Sequence, residues 1–369
     1  MKKKESVSQI VLFCSFCLFR GMNDGLCVLY DETGRAARGV LDDGYFESTG
    51  VCVGLGPLRT SVARAARTSA LRARAHVASP PLPLPIGAPN AHIAARGSLC
   101  ATGTLRHIAA ATAALALHTP RARTLELAGA WEPAAGRARA TLCARSTVLS
   151  ASLGAARALC SPTDPNRPLL VAAEAVLRPT AGLALALRAA GEAVLGAGGG
   201  EGARGYGLRG VGVDGRVAWT RGAWAGLACI EQHGRAAGAT LVRTLAGGRT
   251  RVALDTLFAL PARGGYGESG CDGDGANEST GALWDLVHGS SGSSGRTDAG
   301  ETRVALGVEH WADADTLLRA RLDTRCVLHA VCSHRVSPAC TQAFSFTVNI
   351  ADLSSTGGHV AAVSFAFEG

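Results

Sequence analysis

Polar and apolar positions alternate along most of the chain. Between Gln342 and Ala351, Phe344, Phe346, Val348 and Ile350 fall on one side and Ala343, Ser345, Thr347 and Asn349 on the other. A period of two marks a half-buried strand. Val363, Phe365 and Phe367 then share one face of a closing strand, with Ser364, Ala366 and Glu368 opposite. The same pattern runs through Thr49–Leu58, Leu71–Ala78, Leu105–Leu117, Arg123–Trp131, Arg137–Ser146 and Leu169–Leu177. It continues through Leu183–Ala189, Arg209–Arg216, Ala223–Glu231, Ala236–Leu245 and Thr250–Leu260. Thr119-Pro120, Glu132-Pro133, the run Ser161 to Asn166 and Ala246-Gly247-Gly248 read as turns between them. Roughly 18 to 21 such segments are expected, spaced as in an antiparallel meander. Pro80 to Pro85 interrupts the array and is expected in a turn or at a rim.

Three stretches depart from alternation. Tyr30 to Asp43 reads as an amphipathic helix: Thr33, Ala37, Val40 and Leu41 make an apolar stripe, and Arg35, Arg38 and Asp42 lie to another side. Ala197 to Gly207 is glycine-rich and expected to be a turn. Pro261 to Gly300 carries Gly-Ser blocks with Asp272, Asp274 and Glu278, the composition of a flexible loop insertion.

Composition narrows the class. No run of about 18 apolar residues is present, which argues against membrane-crossing helices but leaves a membrane barrel open. A soluble β-sandwich alternates equally well. The net charge is +8, and because lysine occurs only at Lys2, Lys3 and Lys4, 34 of the 37 bases (37 − 3) are arginine. These arginines are scattered through the alternating segments without an aromatic-interleaved stripe, so nucleic-acid binding is not expected. Cys14 and Cys17 lack a second pair at zinc-like spacing, the other cysteines are dispersed, and no metal or cofactor is expected. No phosphate loop, dinucleotide fingerprint or nucleophile elbow stands on a strand-to-helix unit, so no catalytic residue is expected and the chain does not read as an enzyme. Residues 1–21 hold every lysine and the short apolar run Ile10 to Phe19; with Met22 following, they are expected to be an upstream extension outside the fold. That leaves 22–46 as an N-terminal helical segment and 47–369 as the β region, interrupted by 261–300.

Two groups of residues carry a resemblance. His310-Trp311-Ala312-Asp313-Ala314-Asp315-Thr316, followed by Ala320-Arg321-Leu322, resembles the signature near the C-terminus of eukaryotic mitochondrial porins, the voltage-dependent anion channels. The ending, Asp352 and then Thr356-Gly357-Gly358-His359 before an alternating strand, is similar to theirs, with Val360 in place of a basic residue and Ala362 in place of a glycine. The segment Tyr30 to Tyr45 resembles their N-terminal helix at Gly34, Ala37, Val40, Gly44 and Tyr45, with Arg35 and Arg38 at basic positions.

The resemblance implies a transmembrane, antiparallel-type β-barrel of about 19 strands with the helix inside the lumen. It implies voltage-dependent passage of anions and metabolites such as ATP and ADP across the mitochondrial outer membrane. Membrane lipid would be the partner, anions and nucleotides the permeants, and a homo-oligomer one compatible assembly. Tyr30, Gly34, Arg35, Arg38 and Val40 become the candidate gating and selectivity residues; His310, Asp313, Thr316, Arg321, Gly357, Gly358 and His359 become motif residues. Arg72 with Arg74, Arg137 with Arg139 and Arg319 with Arg321 each share a strand face, inward or outward. Two other readings stand beside this one: a protein-import channel of the same superfamily, and a non-conducting β-barrel interaction protein.

Overall fold

A computed structural model describes residues 27, 30, 32–42, 45–46, 48–65, 71–83, 92–102, 107–119, 123–132, 137–158, 169–196, 205–231, 236–245, 247–260, 302–354 and 359–368. One short helix, α1 (Arg35–Asp42), precedes the strands. The first ten strands are β1 (Ser48–Leu55), β2 (Leu58–Ala65), β3 (Leu71–Ala78), β4 (Leu82–Pro83), β5 (His92–Thr102), β6 (His107–Thr119), β7 (Arg123–Glu132), β8 (Arg137–Arg145), β9 (Leu149–Ala158) and β10 (Leu169–Thr180). The second ten are β11 (Leu183–Gly196), β12 (Gly205–Arg221), β13 (Trp224–Glu231), β14 (Ala236–Thr244), β15 (Thr250–Ala259), β16 (Arg303–Trp311), β17 (Thr316–Asp323), β18 (Val327–Ser337), β19 (Cys340–Asn349) and β20 (Val360–Glu368).

Each strand pairs antiparallel with its neighbour in sequence, except that β3 pairs with β5 and the two-residue β4 adds only to the end of β5. Leaving β4 out, the wall has 19 strands. In a meander every strand reverses direction, so an odd count leaves first and last running the same way. The closing pair is accordingly parallel, from Gly50 opposite Ser364 to Gly54 opposite Glu368. Closure leaves no edge strand and satisfies the backbone within the wall. Nineteen strands about 4.8 Å apart, tilted by about 40°, make a ring on the order of 35 Å across.

The register fixes the faces. Phe344, Phe346 and Val348 lie opposite Cys332, Ala330 and Leu328, and Leu115 lies opposite Leu127, itself opposite Leu142. Val51, Val62, Leu115, Leu127, Leu142, Leu153, Leu187, Leu241, Leu254, Leu306 and Phe346 are all exposed on the outside. Ser61, Ser150, Ser152, Glu174, Asp214, Arg216, Glu231, Thr240, Glu309, Ser345 and Thr347 alternate with them and are buried on the inside. A greasy exterior around a polar interior is the inverse of a soluble sandwich and fits a wall standing in lipid.

Strand ends shift from the sequence expectation at several places, β11 and β12 most of all, and two differences have a local cause. Thr49–Leu58 is not one strand, because the chain reverses at Gly56-Pro57, where Gly56 takes φ +56° and proline has no ladder donor to give. The helix begins at Arg35 instead of Tyr30. Tyr30 and Glu32 to Gly34 lie in turns, with the Thr33 amide donating to the Tyr30 carbonyl and the Arg35 amide to Glu32. Gly34 sits at φ +81°, outside the helical region, so the regular helix starts after it. The leader 1–21, most of Ala197 to Gly207 and the insertion 261–300 lie outside the described residues.

Candidate functional site

The N-terminal segment runs along the inside of the barrel. At its start, the Cys27 amide donates to the Ser146 carbonyl in the β8–β9 turn, and the Cys27 thiol reaches the Val176 carbonyl on β10. Tyr30 comes next and is fully buried. Its ring lies between two guanidinium groups, with the Cζ atoms of Arg188 on β11 and Arg216 on β12 each 4.5 Å from the centroid. Such stacking exploits the negative face of the ring. Then α1 lies across β13 to β17. At the far end Tyr45 packs edge-on against His329 on β18, and the Phe46 amide reaches Ser345 Oγ on β19.

The apolar stripe of α1 faces the wall, as its spacing predicts. Ala37, Val40 and Leu41 form one buried cluster with Leu227, Val242, Ala253 and Ala305 from β13 to β16. Two glycines make the close approach possible. A Cβ on Gly34 would stand 2.6 Å from Leu227 Cδ1, and one on Gly307 would stand 2.6 Å from Leu41 Cδ2.

Arginines of the wall hold the backbone of this segment. Arg216 Nη1 donates to the Tyr30 carbonyl at 3.1 Å, Arg251 Nη2 to the Ala36 carbonyl, and Arg321 Nη1 to the Leu41 carbonyl at 3.0 Å. The last of these satisfies a carbonyl in the final turn of α1, where a cation also suits the helix dipole. Carboxylates neutralise two of these, Arg216 and Arg251, together with neighbouring arginines. Glu231 accepts from Arg38 and Arg216, Glu309 accepts from Arg251 and Arg319, and Asp214 accepts from Arg188.

The Arg38 guanidinium is directed to the wall, 2.9 Å from Glu231. Arg35 stands at the first helical position and is half-buried. Glu231 and Glu309 were missed from sequence, although both occupy inward positions of strands whose other face is apolar.

The open arginine pairs now have a direction. Arg72 and Arg74 alternate with Ala73, which lies opposite the outward Val62, so both face inward. Arg139 faces inward by the same register on β8, and Arg319 and Arg321 do so on β17. On the wall β1 to β8, away from the docked helix, the inward side chains among the described residues include Arg72, Arg74, Arg96, Arg139 and Arg145 against the acid Glu126, and Arg59, which pairs with Glu368 of the adjoining β20 at 3.6 Å. Arg96 pairs with Glu126 across the intervening β6. The inner surface is therefore polarised: acid–base pairs behind the helix and an excess of arginine opposite.

The motif residues at the C-terminal end divide into structural parts. Asp313 closes the β16–β17 turn, where its Oδ1 accepts from the amides of Asp315 at 2.8 Å and Thr316 at 2.6 Å. Those bonds, the one from Asp315 first, hold its carboxyl below the ordinary range. His310 Nδ1 meets Thr250 Oγ1 at 2.9 Å, and Thr316 Oγ1 meets His334 Nδ1 at 2.9 Å. Arg321, the last motif residue, is the one that reaches α1. His359 Nε2 lies 3.2 Å from the Leu353 carbonyl, while Gly357 and Gly358 fall outside the described residues.

No family model matches the chain, and no curated protein matches it. Among solved structures, a triple mutant of the Rhodopseudomonas blastica porin is similar with a TM-score of 0.40 and 9% identity, covering 82% of this chain and 89% of the porin. Another mutant of the Rh. blastica porin gives 0.40 and 9%, over 86% and 94%. The barrel assignment stands on the strand register itself.

Proposed function

We propose that the chain is a passive, anion-preferring diffusion pore. The observation that carries this is the arginine excess on the inward face of β1 to β8, inside a closed barrel with an apolar exterior. Fixed guanidinium groups keep their charge at any working pH and raise the local concentration of anions. Phosphate-bearing metabolites such as ATP and ADP are the permeants of the same reading.

The proposed location is the mitochondrial outer membrane, with voltage-dependent closure. Strand parity supports it: bacterial single-chain barrels have even strand counts, whereas 19 is the count known for the mitochondrial channel. The resemblances at Tyr30–Tyr45 and His310–Arg321 point the same way, and Arg321 of the second group bonds to the helix of the first. The experiment is single-channel recording in planar bilayers under a KCl gradient. Conductance steps with a reversal potential on the anion side support the proposal; cation preference would favour the import-channel reading, and absence of steps from inserted protein the non-conducting one.

A further inference from the structure

Among the described residues, the outer wall carries a basic and aromatic row that stands out from the apolar belt. At the ends of β12, β13 and β14, Arg221 lies opposite Trp224, and Trp224 lies opposite Arg243. Side chains directly opposite share a face, so the three form one cross-strand row. All three are exposed, and Trp224 belongs to the outward face with Leu241 and Ile230. The Arg243 guanidinium lies over the Trp224 ring, 5.1 Å from its centroid. Arg249, also exposed, sits in the adjoining β14–β15 turn.

One register step further into the wall the chemistry changes. Trp219, Gly226, Leu241 and Leu254 lie side by side on the same face. The indole of Trp219 covers Gly226, where even a Cβ would collide at 1.9 Å. The acids of these strands, Asp214, Glu231 and Asp255, alternate to the inside, so none of them shares the face of this row. Asp313 and Asp315 belong to the β16–β17 turn, two strands beyond β14.

We infer that Arg221, Trp224 and Arg243 form a binding site for the phosphate of an anionic phospholipid, with its acyl chains laid along Trp219, Leu241 and Leu254. Three observations carry this. Strand ends beside short turns are where a barrel meets the headgroup layer, and aromatic rings are enriched there. Two cations separated by a single strand, with no acid beside them on that face, match a phosphodiester that offers several acceptor oxygens. The apolar step below supplies a surface for hydrocarbon but nothing for a free anion in water. The occupant is therefore a lipid rather than inorganic phosphate.

The inference rests on the pore reading only in needing the barrel to stand in lipid, and the test separates the two. The full chain is reconstituted, its insertion is checked by co-flotation with the vesicles, and the protein is then taken into detergent with either phosphatidylglycerol or phosphatidylcholine. Lipid retained on the folded protein is counted by native mass spectrometry. Phosphatidylglycerol should be retained in preference to phosphatidylcholine. Arg221→Gln and Arg243→Gln should each weaken that retention about fivefold, as expected for one arginine near a charged headgroup. Arg64→Gln, an outward arginine at the opposite rim, should leave it unchanged. Equal retention of the two lipids, or undiminished phosphatidylglycerol retention by an inserted Arg221→Gln, Arg243→Gln double variant, overturns the site while leaving the pore intact. If the double variant does not insert, the two single variants decide.

Discussion

Arg38 and Glu231 are 193 residues apart in sequence and 2.9 Å apart in the barrel. The same carboxylate oxygen accepts from Arg216 Nη2 at 2.8 Å, and Arg216 also donates to the Tyr30 carbonyl and stacks on the Tyr30 ring. One wall carboxylate thus couples the helix to the residue that precedes it. Docking here is ionic on one side and apolar on the other.

Removing that carboxylate strands the buried Arg216 guanidinium and the half-buried Arg38 guanidinium without their shared partner. Glu231→Gln should weaken helix docking by about 3–5 kcal/mol, the usual cost of stranding a buried ionic partner. Hydrogen exchange over residues 32–42 reads this directly. Adding Arg38→Gln should recover part of the loss, since the stranded charge goes with it. Unaltered protection in the single variant would show that the apolar contacts alone hold the helix.

Gly34 is constrained twice, by its positive φ and by Leu227. Gly34→Ala should therefore cost about 1–2 kcal/mol in backbone strain, with a packing cost of about 1–3 kcal/mol on top where Leu227 cannot move aside. The expected result is faster proteolysis at the N-terminal segment, with an intact barrel by circular dichroism. Wild-type protection would mean that the chain enters the helix by another path.

Selectivity should follow the wall more than the helix. Arg72→Glu with Arg74→Glu reverses two inward charges on β3, and the reversal potential in a KCl gradient should move toward cations. Because salt screens over about 8 Å at physiological strength, the shift should be partial and larger in dilute salt. A reversal potential that stays put in the inserted double variant would relocate the selecting charges.

Asp313 supplies a pH dependence whose sign is set by its bonds. Its folded pKa is lowered, chiefly by the Asp315 amide, so its contribution is present above the ordinary carboxylate range and is lost as pH falls through the folded value. Thermal stability of the wild-type barrel should drop on acidification below about pH 4, where an unfolded aspartate protonates. Asp313→Asn should show a smaller drop over the same window. Parallel acid profiles for the two proteins would rule the turn out as a source of acid sensitivity.

Alternation in the sequence made most of the wall legible. Leu71–Ala78 falls where the pattern puts it, and Thr250–Leu260 does so to within one residue, because apolar side chains recur at alternate positions. The stripe of Ala37, Val40 and Leu41 likewise identified the face that docks. Direction was not legible: Arg72 and Arg74 share a face with no aliphatic to label it, and only pairing with β2 shows it to be inward. Glu231 and Glu309 escaped notice because an ion pair across about 190 residues of separation, or across three strands, leaves no local spacing behind it. The Thr49–Leu58 error has a different cause, since Gly56-Pro57 reverses the chain without a polar run to announce it.

The parallel seam between β1 and β20 has a consequence for sidedness. An odd meander sends β1 in at one mouth of the barrel and brings β20 out at the other. The segment ahead of β1 cancels that offset by running back through the bore. Cys27 lies at the β8–β9 turn, and the Glu368 amide bonds to Ala339 in the β18–β19 turn, both at the same mouth. The first and last described residues therefore lie at one mouth, so a membrane standing around the wall leaves both on the same side.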